Sequence, residues 1–517
     1  MGRVSSSSES DLLERVVAET NLLAAWTRVR SNHGAPGVDG ETIEAFEAGF
    51  SHQLASMQSA ILSATYRPRP VRSLDVPKDA GGTRTLGIPT VRDRLVLQAL
   101  SQALAPLWEP GFSPCSFAYR PGRTPQQAVA AAQAILGAGH RWVVDLDIEK
   151  FFDNVDHVRL MLRLGRRIAD VRVLDLIADF LRTGRTRNGV TFPTRKGIAQ
   201  GSPLSPLLAN IVLDELDGEL ARRAWPFVRF AHTEAEGLEM VGAVADFLRD
   251  RLHLRLHPVK TQVVQPAAAD YLGFTYRIGS YGQVRRRVTR QAVVALRERV
   301  ATLVSRQPGD TFEGVAARVA KHVRGWAAYY GFGQSGVVPA ALAWVRQRLR
   351  VAAWELWRTP ARRQQELERR GVPPDQAARA AWSLHFTDTL GQLPELTRAL
   401  PDNAFARWGL TVPRVGQGHA RPAPSDSGRR SPRASAATDD GLRRFLFARI
   451  LRRLRIDPAG LRSLRSVPAD GRDTAGDAEA GMADGASRPA RPSALRPPST
   501  TVSDSAAEAG EDPLDDL

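Results

Sequence analysis

In WVVDLDIEKFFDNVDH (Trp142–His157), an apolar run delivers Asp145 and Asp147 two residues apart, and the paired aromatics Phe151 and Phe152 follow. Side chains alternate along a strand, so both carboxylates belong on one face. Carboxylates at a strand end can hold Mg²⁺, which keeps several waters and takes one or two carboxylates plus substrate phosphates. The same pair also serves as a cap or turn former, and this segment alone does not separate the two roles. A second segment, GIAQGSPLSPLLANIVLDELD (Gly197–Asp217), opens with a loop shaped by Gly197, Gly201 and two prolines. Loop glycines let a backbone approach a ligand closely, and Gln200 offers both donor and acceptor to a base or ribose edge. Upstream, VPKDAGGTRTLGIPTVRDRLVLQAL (Val76–Leu100) reads as a hairpin with a Gly-Gly turn between Lys78 and Arg84. Two cations flanking a turn suit a triphosphate; a solvated hairpin tip has the same composition.

The elements that must position these residues divide the chain. Residues 1–62 form an N-terminal extension, Ser-rich to residue 10 and then helical, interrupted by the loop NHGAPGVDG (Asn32–Gly40). Residues 63–285 alternate short apolar strands (RWVVDLDI, PFVRFA, DYLGFTYRI) with longer helical stretches, an α+β pattern. In the Gly197 segment the loop feeds an amphipathic helix whose buried side is Leu207, Leu208, Ile211, Val212 and Leu216. Residues 286–412 read as almost wholly helical, with Trp and Leu at helical spacing among many arginines. Residues 413–440 are a Pro/Ser/Arg-rich linker, 441–466 hold a short basic helix (Gly441–Asp457), and 467–517 have the composition of a disordered tail.

Composition narrows the partners. At 517 residues the chain exceeds one core, and 43% hydrophobic with 24% charged residues is the balance of a globular protein. The net charge is +16, and the last 17 residues hold six acidic and no basic side chains, so residues 1–500 carry +22. Such an excess points to a polyanion, with nucleic acid first because phosphate contacts supply most non-specific affinity. A single cysteine, Cys115, excludes a disulfide framework and any Cys-pair zinc site. No apolar run approaches the length of a membrane span, and MGRVSS matches a myristoylation pattern without a second anchoring signal. The expected location is the cytoplasm.

In this order, the segments resemble the reverse transcriptase and maturase proteins encoded by group II introns. The likeness runs through GAPGVDGET, PKDAGGTRTLGIPTVRDR, FSPCSFAYRPGR, DLDIEKFFDNVDH, GIAQGSPLSPLLANIVLDELD, LHPVKTQVV and YLGF. It continues into VRGWAAYYGF, LWRTPARRQQELERRGV and ALPDNAFARWGL, and covers roughly residues 30–412. It implies a right-hand polymerase of fingers, palm and thumb, followed by an all-α maturase-specific region. By the same resemblance, Asp147 would be the first metal-binding carboxylate, with the Ile148 carbonyl as a minor Mg²⁺ ligand. Phe152 would be the steric gate under the incoming sugar, and Lys78 and Arg84 would hold the triphosphate. Gln200 and Gly201 would line the nucleotide pocket, and Lys260 would stand near the leaving pyrophosphate as proton donor. Arg324, Trp326, Tyr330 and Arg358 would contact RNA. The implied partners are structured RNA, above all group II intron RNA, and a DNA target or primer; A-form helices are gripped through phosphates, 2′-hydroxyls and shape. The paired cysteines of the HNH nuclease that often ends such proteins are absent from this sequence.

One departure matters more. The family carries Tyr or Phe, Ala, Asp, Asp at the tip of a palm hairpin, whose carboxylates join the first to clamp two Mg²⁺ ions. Here FVRFA (Phe227–Ala231) is followed by His232-Thr233-Glu234-Ala235-Glu236. Thr233 and Glu236 form a capping-box pattern, and Leu238, Val241, Val244, Phe247 (or Leu248) and Leu252 follow at helical spacing. A helix starting at about Thr233 leaves no place for a return strand, so about seven residues, both aspartates included, are missing. His232 is a poor Mg²⁺ ligand, and Glu234 and Glu236 suit a helix first turn. The sequence therefore predicts an RNA-binding homologue impaired in DNA synthesis. An active RNA-directed DNA polymerase and a decayed retroelement product are the alternatives.

Overall fold

The structure is a computed structural model that describes residues 11–77, 83–225, 230–231, 234–305, 309–333, 336–383 and 387–410. The expected basic helix at 441–457, the linker and the tail lie outside the described residues.

Four short helices form the N-terminal extension: α1 (Leu12–Val17), α2 (Glu19–Ser31), α3 (Ile43–Ala48) and α4 (Phe50–Leu62). The glycine-rich stretch between α2 and α3 is a loop, as its composition dictates. The extension does not stand apart: the Leu13 N–H donates to the buried Asp170 carboxylate at 3.0 Å, and Arg172 bridges Glu14 at 2.7 Å. Leu13, Val16, Trp26 and Phe46 belong to the same core as the helices that follow.

A finger-like sheet comes next. Strands β1 (Val71–Pro77) and β2 (Thr83–Ile88) pair antiparallel, with Val76 opposite Arg84. Helices α5 (Val91–Trp108) and α6 (Pro125–Gly137) follow, α6 opened by a capping box of Thr124 and Gln127. The aspartate segment supplies β3 (Trp142–Asp145), and α7 (Phe151–Asn154), α8 (His157–Leu164) and α9 (Val171–Arg182) come after it. Strands β4 (Arg185–Arg187) and β5 (Val190–Phe192) then return to the first sheet, in the order β2-β1-β4-β5. Helix α10 (Ser205–Arg222) buries Leu207, Leu208, Ile211, Val212 and Leu216, the five positions its periodicity marks.

The palm sheet has three strands, β6-β3-β7, with β6 (Phe230–Ala231) and β7 (Gln262–Val264) both antiparallel to β3. Helix α11 (Glu234–Phe247) begins within three residues of the end of β6. Thr233, the expected cap, lies outside the described residues, and Glu236 falls in the first turn of α11. Strands β8 (Phe274–Ile278) and β9 (Val284–Val288) make a hairpin whose inner face, Phe274, Tyr276 and Val288, joins a small core with α6. This hairpin runs to Val288, so the helical part begins at Arg290.

Helices α12 (Arg290–Val304), α13 (Phe312–Tyr330), α14 (Val337–Leu356), α15 (Pro360–Arg369), α16 (Pro374–Trp382), α17 (Thr387–Leu390) and α18 (Pro394–Ala399) form the last unit. Its separate core is built on Val319, Val323, Leu342, Val345, Leu349 and Phe405. Threonine caps at Thr289, Thr311 and Thr359 accept first-turn N–H groups and fix where three of these helices start. The whole is a mixed strand-and-helix polymerase-like domain followed by an all-α region, as the sequence led us to expect. No helix among the described residues is long and apolar enough to cross a membrane.

Candidate active site

Strand β3 ends at Asp145, which lies opposite Gln262 of β7. Beyond it the backbone stays extended: the Asp147 carbonyl accepts from the His257 N–H at 2.7 Å, and the Glu149 N–H donates to the Arg255 carbonyl at 2.9 Å. These two bonds make the isolated bridge of Ile148 with Leu256 and leave the Ile148 carbonyl out of it. Asp147 is thus held by its main chain while its side chain stays 44% exposed. What it meets is a cation of the chain itself. The Lys260 ammonium lies 3.2 Å from Asp147 Oδ2.

A sharp turn follows. Lys150 adopts a left-handed backbone, φ 44°, uncommon for a side chain with a Cβ, and α7 starts there. Phe152 is half-buried with its ring edge-on to Phe151 at 5.4 Å. The Phe152 carbonyl accepts from the Ile198 N–H, and the Val155 carbonyl from the Gly197 N–H, each at 2.7 Å. Gly197 has φ +88°, and a Cβ there would stand 2.8 Å from the Asp153 carbonyl oxygen. Only glycine lets the loop seat on α7 this way.

The loop reaches the fingers at its other end. The Gly87 N–H of β2 donates to the Gln200 carbonyl at 2.7 Å, and a Cβ on Gly201 (φ +107°) would lie 2.9 Å from the Gly87 carbonyl oxygen. Gln200 and Gly201 therefore sit against the strand that carries Arg84, which is exposed. Lys78 lies outside the described residues. A cavity behind the loop, lined by Val71, Arg185, Gly197, Ile198 and Ser202, measures about 50 Å³, room for water and not for a nucleotide.

Two residues that sequence reasoning passed over tie these pieces together. Arg185 of β4 bonds Asp153 Oδ1 at 3.0 Å and the Ile198 carbonyl at 3.5 Å, joining the finger sheet to the loop. His157, the last residue of the aspartate-rich segment, is buried with Nε2 2.7 Å from the Gly197 carbonyl. Since a carbonyl only accepts, Nε2 carries the proton, and burial pushes the imidazole pKa down. The histidine is visible in the segment; Arg185 has no motif around it.

Strand β6, after whose Ala231 the resemblance implies a hairpin, pairs with the start of β3: Ala231 lies opposite Trp142 and Phe230 opposite Val143. Because the two run antiparallel, the chain leaving Ala231 exits at the end of β3 remote from Asp147. Among the described residues no group of three His, Cys, Asp or Glu side chains could hold a metal ion. One exposed carboxylate and one carbonyl could hold a single Mg²⁺ alongside substrate phosphates; they do not fit a two-ion clamp.

The residues assigned to RNA contact are placed differently from one another. Arg324 donates to the Trp408 carbonyl at 2.8 Å. Trp326 bonds the Ala292 carbonyl at 3.3 Å, and Tyr330 packs on Phe274 at 5.3 Å and Trp326 at 4.8 Å, so both rings are half-buried. Arg358 is exposed between α14 and α15.

Comparison with known proteins gives two family matches. A reverse transcriptase (RNA-dependent DNA polymerase) model matches residues 76–276, and the group II intron, maturase-specific domain model matches residues 293–371. Protein YkfC of Escherichia coli is 36% identical over 218 residues, covering 41% of this chain and 57% of that protein. Group II intron-encoded protein LtrA of Lactococcus lactis is 36% identical over 196 residues, 37% of this chain and 32% of that protein. Nuclear intron maturase 2, mitochondrial, of Arabidopsis thaliana is 28% identical over 178 residues, 27% of this chain and 24% of that protein. The matched stretches thus span little more than half of the first of these relatives and less of the others.

Proposed function

The chain belongs to the group II intron reverse transcriptase and maturase family, and on that premise we propose that it binds structured RNA, in intron splicing or retromobility, while being deficient in DNA synthesis. The observation that carries the deficiency is the palm: Asp147 faces Lys260, and β6 ends beside Trp142 at the far end of β3. Polymerisation in this family needs carboxylates that clamp both the attacking and the leaving oxygen. A chain with one such carboxylate loses the clamp and keeps its RNA-facing surfaces.

Binding is supported by charge. Residues 286–410 hold twenty Arg and Lys against ten Asp and Glu, and a charge of that sign attracts phosphate at any sequence. Asp147 with the Ile148 carbonyl would hold one Mg²⁺ at most, and the chemistry such an ion supplies is charge neutralisation at a phosphate. Phe152, Gln200, Gly201 and Arg84 would then serve as an inherited nucleotide pocket that shapes the palm. The protein residues hold the loop and fingers together whether or not a nucleotide binds.

The test is equilibrium binding of an intron-derived structured RNA across a salt series. The expected result is tight binding with a steep negative slope in log salt and preference over random RNA of the same length. Equal affinity for both RNAs would sink the maturase reading and leave a decayed gene product. Efficient extension of a primer would favour the intact-polymerase reading instead.

A further inference from the structure

Ten tryptophans occur in the chain, and nine of them are buried or half-buried. Trp382, the last residue of α16, is 67% exposed. Its neighbours in the fold treat tryptophan faces as seats for arginine: guanidinium groups lie over Trp108, Trp225, Trp344, Trp354, Trp357 and Trp408 at 3.8–5.8 Å. Among the described residues no guanidinium lies over Trp382. The ring is nevertheless oriented, since its Nε1–H donates to Gln364 Oε1 at 3.3 Å, and the Gln364 amide donates on to Glu368 Oε1 at 2.9 Å. An indole anchored at its edge and open on its face is a surface for stacking, not a loose side chain.

Its surroundings say what would stack. Gln364 stands five residues after the cap Thr359, about 7–8 Å along α15, and Arg358 precedes that cap. Arg358 is exposed and makes no ion pair among the described residues. The nearby Arg362 and Arg369 share the buried Glu366 carboxylate with Arg370, which leaves this helix surface with three guanidiniums on one carboxylate. Residues 358–370 hold five arginines against Glu366 and Glu368, and an aromatic face on a surface of that sign matches a nucleotide, whose base stacks and whose phosphate pairs. Base–aromatic stacking is tolerant of sequence and needs a base freed from a duplex. We infer that Trp382, with Arg358, is a platform for an unpaired base of the bound RNA. Trp382 lies beyond the 293–371 maturase-domain match, within which Arg358 falls, and the inference rests on the RNA-binding reading above.

The experiment uses the full chain and two labelled RNAs of equal length, a stem with a large single-stranded loop and a blunt duplex, in an anisotropy titration. Trp382→Ala is expected to weaken loop-RNA binding about five- to a hundred-fold, the range of one stacked base, and to leave duplex binding unchanged. Trp382→Phe, which keeps a ring, should stay within about three-fold of the parent on both, by the same stacking argument. Arg358→Ala should weaken both RNAs and reduce the salt slope by about one. Thermal melts check that each variant is folded. Loop-RNA affinity unchanged in Trp382→Ala, or loop and duplex weakened equally, overturns the platform. A change of oligomeric state in Trp382→Ala also overturns it, by making the ring a contact between copies. Failure of the parent chain to bind either RNA overturns the RNA-binding reading itself, and the platform with it.

Discussion

Replacing Gly197 with alanine tests whether the loop at residues 197–201 is fixed by its backbone. Gly197 has φ +88°, and its new Cβ would meet the Asp153 carbonyl oxygen at 2.8 Å and the Asp153 carbonyl carbon and Cα at 3.0 Å. All three are main-chain atoms, so no side chain can swing aside. A left-handed residue with a Cβ costs roughly 1–2 kcal/mol, and forcing an extra carbon into packed surroundings adds about 1–3 kcal/mol. The total is about 2–5 kcal/mol. Gly218 is the control, because it lies in α10 with nothing within 4 Å of a Cβ. Glycine to alanine in a helix interior should there gain about 0.5–1 kcal/mol. Calorimetry or circular dichroism on both variants should show a fall of roughly 5–15 °C for Gly197→Ala and a small rise for Gly218→Ala. Equal melting of Gly197→Ala and the parent would refute the claim that the loop seats on α7 through its glycine.

Further outcomes follow from the same geometry. His157 has a folded-state pKa lowered by burial, so the unfolded chain takes up the proton first as pH falls; stability should therefore decline as pH drops through the unfolded value near 6.5. Denaturant titrations at pH 7.5 and 5.5 should reveal this, with a smaller difference in His157→Gln. Asp147→Ala should change stability by less than about 1 kcal/mol, because it removes only an exposed ion pair, and it should leave RNA affinity within error by filter binding. Leu349→Ala empties a fully buried position in the helical core and should cost about 2–5 kcal/mol; a melt would show it, and Leu349→Met should restore most of the loss.

Much of the arrangement was legible before any coordinates. The five buried positions of α10 follow from a 3.6-residue period, and a helix immediately after Ala231 follows from apolar spacing through Phe247 and Leu252. The aspartate strand was readable too, because a run of Val and Asp bounded by polar residues has little choice. What the sequence hid is pairing between distant segments. Nothing local in Lys260 announces that its ammonium meets Asp147, and nothing in Gly87 announces that it receives the loop at Gln200. The direction of β6 was equally hidden, since two strand residues carry no signal of parallel or antiparallel pairing. Strand β9, VRRRV, escaped the reading of residues beyond 285 as helical because its three arginines mask the alternation. The aromatics Trp326 and Tyr330 show how helical spacing underdetermines role: the spacing fits a core as well as an RNA face, and half-burial against Phe274 and Ala292 is what the fold makes of them.

The most direct test of the central claim is extension of a DNA primer on an RNA template with Mg²⁺, comparing the chain as it stands, its Asp147→Ala variant, and a variant with Asp-Asp and five apolar residues inserted between Ala231 and His232. The account predicts no extension by the first two and a gain of extension with the insertion. Extension by the unaltered chain that Asp147→Ala abolishes would contradict it.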